Sequence, residues 1–388
     1  MRIGIAALGR VSEDTGGKNY IIHFLKELDR MRPAHEFVLF FSEGEAEALG
    51  ITSHQGLGVV TVPNSKRTPV HKVIGEQSKL PKYITRERVD LMYFPGNFVS
   101  LMSGVPSVVN IRSAAHFYGS KYGISGIRRW IRSILMPLSA RRAKAIITPS
   151  EDIKRDVVRF THVDPSKVQV IHHGVDVALF DGERNRNTIE SRGVLSKYGL
   201  TPGNYLLYVS ALWRYKNQDK LIRAHAKIVQ QGFPDLKLVL AGKGTGTDPK
   251  YISEINSLPK SLGTDHLVVM TGPLAQQDLA YLYANTRAFV FPSSYESFGN
   301  PIFEAWASGV PIATANVHSF PEIVADAGLL FDPLDEAAMM EAILRLLTDA
   351  DLSRDLVRRG AARAKEFSWE LAVRRTLTLL ERVYAPGE

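Results

Sequence analysis

Cysteine is absent from this chain of 388 residues. Its absence excludes a disulfide framework, a thiolate metal site and a cysteine nucleophile, and it is compatible with a reducing compartment.

Long apolar runs are missing too. Nothing approaches the roughly 20 apolar residues of a membrane span, and the apolar start at 3–8 is too short for a signal peptide. We therefore expect a cytoplasmic protein, with a peripheral position on the inner face of the cell membrane as an open alternative.

Acidic residues are missing from one long stretch. No Asp or Glu occurs between Asp90 and Glu151, whereas eight Lys and Arg residues do. Residues 1–175 hold 25 Lys and Arg against 15 Asp and Glu, a net charge of +10, and the remainder holds 23 against 25, a net of −2. Because a charged surface attracts partners of opposite sign, this asymmetry predicts an anionic partner for the first half of the chain.

Motifs of several other protein classes are also missing. The chain has no Gly-x-x-x-x-Gly-Lys-Ser/Thr of a P-loop nucleotidase, and the glycine-rich stretch at 241–247 is not the complete fingerprint of an NAD enzyme. His172 and His173 have no companion ligands that complete a metal site. The basic stretch contains no recognised nucleic-acid module. We expect no metal, no other cofactor and no nucleic-acid partner.

Short β-type runs alternate with helical patterns along the whole chain, which is typical of βαβ units and parallel sheets. The length favours two domains over one. We predict an α/β fold of two Rossmann-like, doubly wound parallel-sheet domains that face a central cleft. The predicted parts are an N-terminal domain at 1–175, a linker at 176–203, a C-terminal domain at 204–368, and a closing helix at 369–388 that packs back on the N-terminal domain. The predicted strands lie at 2–8, 36–41, 59–62, 91–95, 107–111, 145–149, 168–173, 204–210, 236–242, 266–272, 288–292 and 311–315.

Two carboxylates, Glu296 and Glu304, flank a Phe-Gly-Asn-Pro turn between the predicted strands at 288–292 and 311–315. The turn begins a helix beyond the carboxyl end of a strand, which is where doubly wound sheets bind ligands. Backbone N–H groups at a helix start attract an anion such as a phosphate, and carboxylates accept hydrogen bonds from hydroxyls. A sugar nucleotide offers both kinds of group, so the pattern points to a sugar-nucleotide enzyme.

Two other strand-to-helix loops hold candidate binding groups. Arg214 and Lys216 follow the predicted strand at 204–210, where cations can clamp a diphosphate. Gly16, Gly17 and Gly242 follow other strands and allow the backbone to approach a phosphate or sugar closely. The alternatives are solvated charges at a helix start and ordinary turn glycines.

The helical pattern at 124–136 is amphipathic and has two explanations. In the first, it is a core helix with a solvated basic face. In the second, it is an interfacial helix that contacts anionic lipid, with Trp130 at the headgroup level. Its apolar line is Ile127, Ile131, Ile134 and Leu138, and its basic side chains are Arg128, Arg129 and Arg132.

Several blocks, in order, resemble the retaining glycosyltransferases of family 4, whose GT-B architecture has two Rossmann-like domains. The blocks are Gly16-Gly17, Pro149-Ser-Glu151, Val170-Ile-His-His-Gly-Val-Asp176, Tyr208-Val-Ser210, Lys216-Asn217, Leu240-Ala-Gly242, the Glu-x7-Glu pair of Glu296 and Glu304, and Phe367-Ser-Trp369. They cover nearly the whole chain, and the Glu-x7-Glu pair is the most specific of them. The resemblance implies that the N-terminal domain binds an acceptor and the C-terminal domain a nucleotide-diphospho-sugar donor.

The resemblance also implies residue roles. Glu296 contacts hydroxyls of the transferred sugar, Glu304 contacts the nucleotide ribose, and Lys216 neutralises the departing diphosphate. The backbone that lines the donor comes from Phe298, Gly299, Asn300 and Pro301. The activity implied is metal-independent transfer of a hexose with retained configuration.

Two positions depart from the family pattern. The usual Gly-Arg after the strand at 204–210 reads Ser-Ala here, so we assign the phosphate role to Arg214. The usual His after the strand at 107–111 is Arg112, with His116 four residues on, so His116 is our candidate for that catalytic role. Arg112, with the three arginines of the amphipathic helix, is a candidate for acceptor or membrane contact.

The donor is expected to be GDP-mannose or a UDP-hexose. The acceptor is expected to be a lipid-linked or other anionic glycan precursor of cell-surface polysaccharide or glycolipid. The alternative is a catalytically degenerate protein of the same fold, which binds an anionic partner through its basic N-terminal domain. This alternative rests on the departures at Ala211 and Arg112.

Overall fold

The structure is a computed structural model. It describes residues 1–8, 16–54, 56–63, 75–119, 121–122, 126–176, 178–244 and 248–385. The chain forms two compact units. The first comprises Met1–Ser120, Ile124–Gly174 and Ser368–Glu388, and the second comprises Lys121–Gly123 and Val175–Phe367.

The first unit is built on a seven-stranded parallel sheet of order β3-β2-β1-β4-β5-β6-β7. The centre of this sheet is apolar across neighbouring strands: Ile3 of β1 lies opposite Phe37 on one neighbouring strand and Leu91 on the other. All three side chains are buried, as expected of parallel strands that are covered on both faces. The strands are β1 Arg2–Ala6, β2 Glu36–Ser42, β3 Leu57–Val62, β4 Leu91–Phe94, β5 Ser107–Asn110, β6 Ala145–Thr148 and β7 Val168–Val170.

Helices of the first unit connect these strands. Ser150 caps one of them, because its hydroxyl accepts a hydrogen bond from the backbone N–H of Ile153. The helices are α1 Gly16–Met31, α2 Glu45–Ala48, α3 Leu80–Arg86, α4 Gly126–Arg142 and α5 Glu151–Thr161, and a 3-10 turn lies at Ala115–Tyr118.

The second unit is built on a six-stranded parallel sheet of order β10-β9-β8-β11-β12-β13. Its strands are β8 Tyr205–Val209, β9 Lys237–Ala241, β10 Val268–Gly272, β11 Ala288–Phe291, β12 Ile312–Ala315 and β13 Leu329–Phe331. Every predicted strand is therefore present. The additional strand, β13, has only three residues, too few for the apolar pattern to distinguish a strand from a loop.

The helices of the second unit begin within the stretch predicted as a linker, since α6 at Gly182–Asn185 and α7 at Ile189–Lys197 lie between 176 and 203. Arg186, which follows α6, donates a hydrogen bond to the carbonyl of Ala284 at 2.8 Å and thereby ties this stretch to the second unit. The helices are α6 Gly182–Asn185, α7 Ile189–Lys197, α8 Gln218–Gln230, α9 Pro249–Ser261, α10 Gln276–Asn285, α11 Asn300–Ala307, α12 Phe320–Val324, α13 Glu336–Thr348 and α14 Ala350–Ala364.

The last helix, α15 at Trp369–Tyr384, belongs to the first unit. It packs beside α1, where Arg30 pairs with Glu370 at 3.0 Å. Val373 and Leu380 on its inner side are buried. Within the described residues, none of the helices is both long enough and apolar enough to cross a membrane.

The prediction of two Rossmann-like parallel-sheet domains is confirmed by these two sheets. In each sheet the chain first adds strands on one side of the first strand of the unit and then crosses to its other side. The first strand β1 therefore lies between β2 and β4, and the first strand β8 lies between β9 and β11. The carboxyl ends of strands at such a reversal form the ligand-binding edge of an open sheet.

Candidate active site

The loops that follow β8 and β11 meet because these two strands are neighbours in the sheet. Asn217 fastens the loops together: its side-chain amide donates hydrogen bonds to the carbonyl of Pro292 at 2.7 Å and to the hydroxyl of Ser294 at 2.8 Å. Asn217 has a left-handed backbone with φ 57°, which Asn tolerates better than most residues. The loops therefore hold Lys216 and Glu296 at one edge of the sheet.

The ammonium of Lys216 pairs with the carboxylate of Glu296. The Lys216 side chain is 8% exposed and the Glu296 side chain is 19% exposed. Burial is the largest single influence on the pKa of Lys216 and lowers it, but the carboxylate of Glu296 and the neighbouring Tyr215 together raise this pKa above its ordinary value. The pair thus combines a buried, charged ammonium with a carboxylate that solvent can still reach and that can accept hydrogen bonds.

Buried polar contacts support the backbone around this pair. The Gln218 amide donates to the hydroxyl of Tyr208 and to the carbonyl of Ala211, both at 3.0 Å. On the other loop, the hydroxyl of Ser319 donates to the carbonyl of Glu296 at 3.0 Å. The positions of Lys216 and Glu296 are therefore held by interactions that involve neither charged group.

Helix α11 starts immediately after Gly299, whose φ of 85° favours glycine. A Cβ atom at Gly299 would lie 2.8 Å from the ring of Phe320, so there is no room for a side chain. Asn300 and Pro301 form the first turn of the helix. The side chain of Phe298 is buried against Phe303, with ring centroids 4.9 Å apart, so Phe298 has only its backbone left to offer a ligand.

Glu304 lies one turn further along α11 and is half-buried. Burial raises the pKa of Glu304 to about 7, and the neighbouring hydroxyl of Tyr283 offsets part of that shift. Its carboxyl group therefore changes charge close to neutral pH.

Gly242 has a packing reason to be glycine. Its φ is 148°, and a Cβ atom there would overlap the carbonyl of Ser210 on the neighbouring loop. This close approach accounts for the glycine whether or not a ligand binds beside it. The rest of the glycine-rich stretch, residues 245–247, lies outside the described residues.

Arg214 is not brought to the Lys216–Glu296 pair. Its side chain is 56% exposed, and its guanidinium lies 3.2 Å from the carboxylate of Glu254 and is stacked over the ring of Tyr251 at 4.6 Å. These contacts direct the side chain toward α9.

The first-unit candidates are only partly described. Gly16 and Gly17 begin α1, but the preceding loop at 9–15 lies outside the described residues. His116 is 1% exposed, and neither of its ring nitrogens has a hydrogen-bond partner within the described part of the chain. Burial, together with the charges of Arg132 and Arg129, lowers the pKa of His116 to about 3. His116 is therefore a neutral imidazole that is enclosed by protein.

The candidate arginines of the first unit have separate surroundings. The Arg112 guanidinium lies over the ring of Tyr20 at 5.4 Å. Arg129 donates to the carbonyl of His116 at 3.2 Å. The side chain of Arg128 lies outside the described residues.

One residue near the site, Tyr122, was not predicted from the sequence. Tyr122 stacks on Tyr295 with ring centroids 4.5 Å apart and meets Tyr215 edge-on at 5.4 Å. These two tyrosines immediately precede Glu296 and Lys216. No local motif marks Tyr122, because its partners are far away in the chain.

In the part of the chain that the structure describes, no three or more acidic and histidine side chains lie together in a way that could hold a metal ion.

Two family models match the chain in sequence. The model described as Glycosyltransferase Family 4 matches residues 15–179, and the model described as Glycosyl transferases group 1 matches residues 196–363. The chain belongs to glycosyltransferase family 4. The resemblance inferred from its motifs is confirmed.

Curated relatives match this chain over only part of their own length. O-antigen chain mannosyltransferase B of Escherichia coli is 33% identical over 61% of this chain and 60% of its own. D-inositol 3-phosphate glycosyltransferase of a Nocardioides species is 32% identical over 63% of this chain and 55% of its own. The matched part of the chain thus corresponds to little more than half the length of these relatives.

Solved structures share the fold over the whole chain. Sucrose-phosphate synthase of Thermosynechococcus elongatus has a TM-score of 0.78 at 20% identity and covers 100% of both chains. HepE of Anabaena, solved in complex with UDP and glucose, has a TM-score of 0.74 at 19% identity and covers 98% of this chain and 99% of its own. The fold is GT-B, as predicted.

Proposed function

We propose that this protein is a metal-independent glycosyltransferase that moves a hexose from a nucleotide-diphospho-sugar to an acceptor hydroxyl with retained configuration. The observation that carries the proposal is the Lys216–Glu296 pair at the adjoining ends of β8 and β11. The start of α11 follows the same loop as Glu296 and adds backbone N–H groups that favour an anion.

In the proposed reaction, the bond between the anomeric carbon of the sugar and the diphosphate oxygen breaks. A new bond to the acceptor oxygen forms on the same face, and the acceptor proton passes to the departing diphosphate. Negative charge grows on that diphosphate, where the ammonium of Lys216 stabilises it. Groups placed in this way contribute about 2.7–4 kcal/mol each to lowering a barrier.

Glu296 and Glu304 have different tasks in this proposal. Glu296 accepts hydrogen bonds from hydroxyls of the transferred sugar while its charge holds Lys216 in place. Glu304 accepts hydrogen bonds from the nucleotide ribose. Because the pKa of Glu304 is about 7, ribose binding by its charged form strengthens as the pH rises through neutrality.

GDP-mannose and UDP-hexoses are the donors we propose. The first has support from the names of the relatives, since O-antigen chain mannosyltransferase B and the serotype-specific mannosyltransferases of Escherichia coli are among them. The second has support from the HepE structures in complex with UDP and with UDP-glucose. The acceptor we propose is a lipid-linked or other anionic glycan precursor, in keeping with the net charge of +10 on residues 1–175.

A donor panel tests this function. The purified protein is incubated with GDP-mannose, UDP-glucose and UDP-galactose, with water as the acceptor, with and without a chelator, and nucleotide release is followed together with the anomeric configuration of the hexose as it is released. We expect turnover with one donor, unchanged by the chelator, and retained configuration. Inverted configuration or chelator-sensitive turnover contradicts the mechanism. Donor binding without transfer or hydrolysis supports the degenerate alternative.

A further inference from the structure

Helix α4 presents an apolar side to solvent. Its large hydrophobic side chains Ile127, Trp130, Ile134 and Leu138 are 59%, 63%, 42% and 41% exposed. Residues spaced by three and four lie on the same side of a helix, so these four form one line, the α4 ridge. They are half of the eight large hydrophobic side chains that are exposed in the described part of the chain.

The opposite side of α4 already packs against the first unit. Met136, Ser139 and Ala140 are fully buried there, and the hydroxyl of Ser139 accepts a hydrogen bond from the backbone N–H of Val99 at 3.1 Å. The interpretation that the apolar line of α4 faces the core is therefore wrong for Ile127, Ile134 and Leu138, which are exposed. A contiguous exposed apolar surface of this kind marks an interaction site.

Basic side chains border the α4 ridge. Arg141, Arg142 and Lys144 are exposed at the carboxyl end of α4, and no acidic residue occurs in the sequence between Asp90 and Glu151. A second copy of the chain on this surface would bring like charges together. An anionic lipid surface instead offers acyl chains to the ridge and negative headgroups to its border.

We propose that the α4 ridge lies in the interface of a membrane that contains anionic lipid. In this arrangement Trp130 sits at the headgroup level, the aliphatic side chains enter the outer edge of the acyl region, and the basic side chains contact headgroups. The proposal does not depend on the proposed transfer reaction, because it uses none of the residues assigned to it.

Vesicle co-sedimentation of the full-length protein tests the proposal. Phosphatidylcholine vesicles are compared with vesicles that also contain phosphatidylglycerol. We expect stronger partitioning onto the anionic vesicles, weakened by added salt because salt screens surface charge. The double variant Trp130→Ser/Ile134→Ser should lose on the order of tenfold in partitioning. The variant Arg141→Ser/Arg142→Ser should lose roughly fivefold per cation, on anionic vesicles only.

A matched control distinguishes an effect of the α4 ridge from an effect of exposed apolar side chains elsewhere on the surface. Ile189 and Leu334, exposed by 84% and 65%, lie outside α4, and the double variant Ile189→Ser/Leu334→Ser should partition like the wild type. Lys216→Ala should also partition like the wild type, which separates this proposal from the catalytic one. The proposal is overturned by equal binding of the ridge variant and the wild type, by an equal loss in the control pair, or by a dimer in solution that the ridge variant dissociates.

Discussion

Lys216 and Glu296 are 80 positions apart in the chain, yet their side chains form an ion pair at the carboxyl edge of the second sheet. The cause is topological: β8 and β11 are neighbours, so their loops converge. Neither loop alone marks the pair, whereas the two together place an ammonium beside a carboxylate, the arrangement that we propose for binding a diphosphate and sugar hydroxyls.

The charge state of Glu304 should make stability depend on pH. Its pKa is about 7 in the folded protein, against an ordinary value of 4.5. Between these values the folded state holds a proton that the unfolded chain has lost, so the free energy of unfolding falls as the pH rises through this window. Glu304→Gln removes this effect. As the pH rises from about 4 to about 8, the free energy of unfolding of the variant should increase relative to that of the wild type by on the order of 2–3 kcal/mol.

Urea unfolding at several pH values measures that difference. Glu341→Gln, on the exposed side of α13, is the matched substitution at a solvent-facing carboxylate. A stability difference between Glu304→Gln and the wild type that stays constant across this range contradicts the assignment of the raised pKa to Glu304.

Substitution of Gly299 should destabilise the start of α11. Alanine at this position faces two penalties, the left-handed backbone and the 2.8 Å approach of its Cβ to Phe320. Gly263 isolates the first penalty, because its φ is 70° and nothing lies within 4 Å of a Cβ there. We expect Gly263→Ala to cost about 1–2 kcal/mol and Gly299→Ala to cost a further 1–3 kcal/mol, roughly.

Unfolding by denaturant and turnover of both glycine variants provide the check. Gly299→Ala should also lower turnover, since it displaces the helix start, whereas Gly263→Ala should not. Equal stabilities for the two variants count against the steric role of Phe320.

Tyr122 should act as a positioning residue for the Lys216–Glu296 pair. Its ring packs on Tyr295 and Tyr215, the residues that precede the pair. Tyr122→Ala should lower kcat by about tenfold to a hundredfold, because small displacements of reacting groups are costly. Tyr122→Phe keeps the ring and should retain activity, and Tyr384→Ala, at an exposed tyrosine, serves as the control. Wild-type values of kcat and KM for Tyr122→Ala contradict this positioning role.

The sheets were predictable because their strands are uninterrupted apolar runs, such as Ala288–Phe291, buried on both faces. The placement of Lys216 and Glu296 at one edge of the sheet was predictable because both lie in loops that follow such strands. The orientation of α4 was not, since periodicity defines an apolar side of a helix but not whether that side faces the core. The direction of Arg214 was not predictable either, because it depends on Glu254 and Tyr251 of α9. The contacts of Tyr122 depend entirely on tertiary structure.

The transfer rate of Lys216→Ala at saturating donor tests the catalytic role of the Lys216–Glu296 pair, with thermal unfolding to confirm that the variant is folded. Lys227, an exposed lysine paired with Glu336 on the same unit, supplies the control Lys227→Ala. We expect kcat of Lys216→Ala to fall by about a hundredfold to a thousandfold, and kcat of Lys227→Ala to remain that of the wild type. A folded Lys216→Ala enzyme with near-normal kcat contradicts a catalytic role for Lys216.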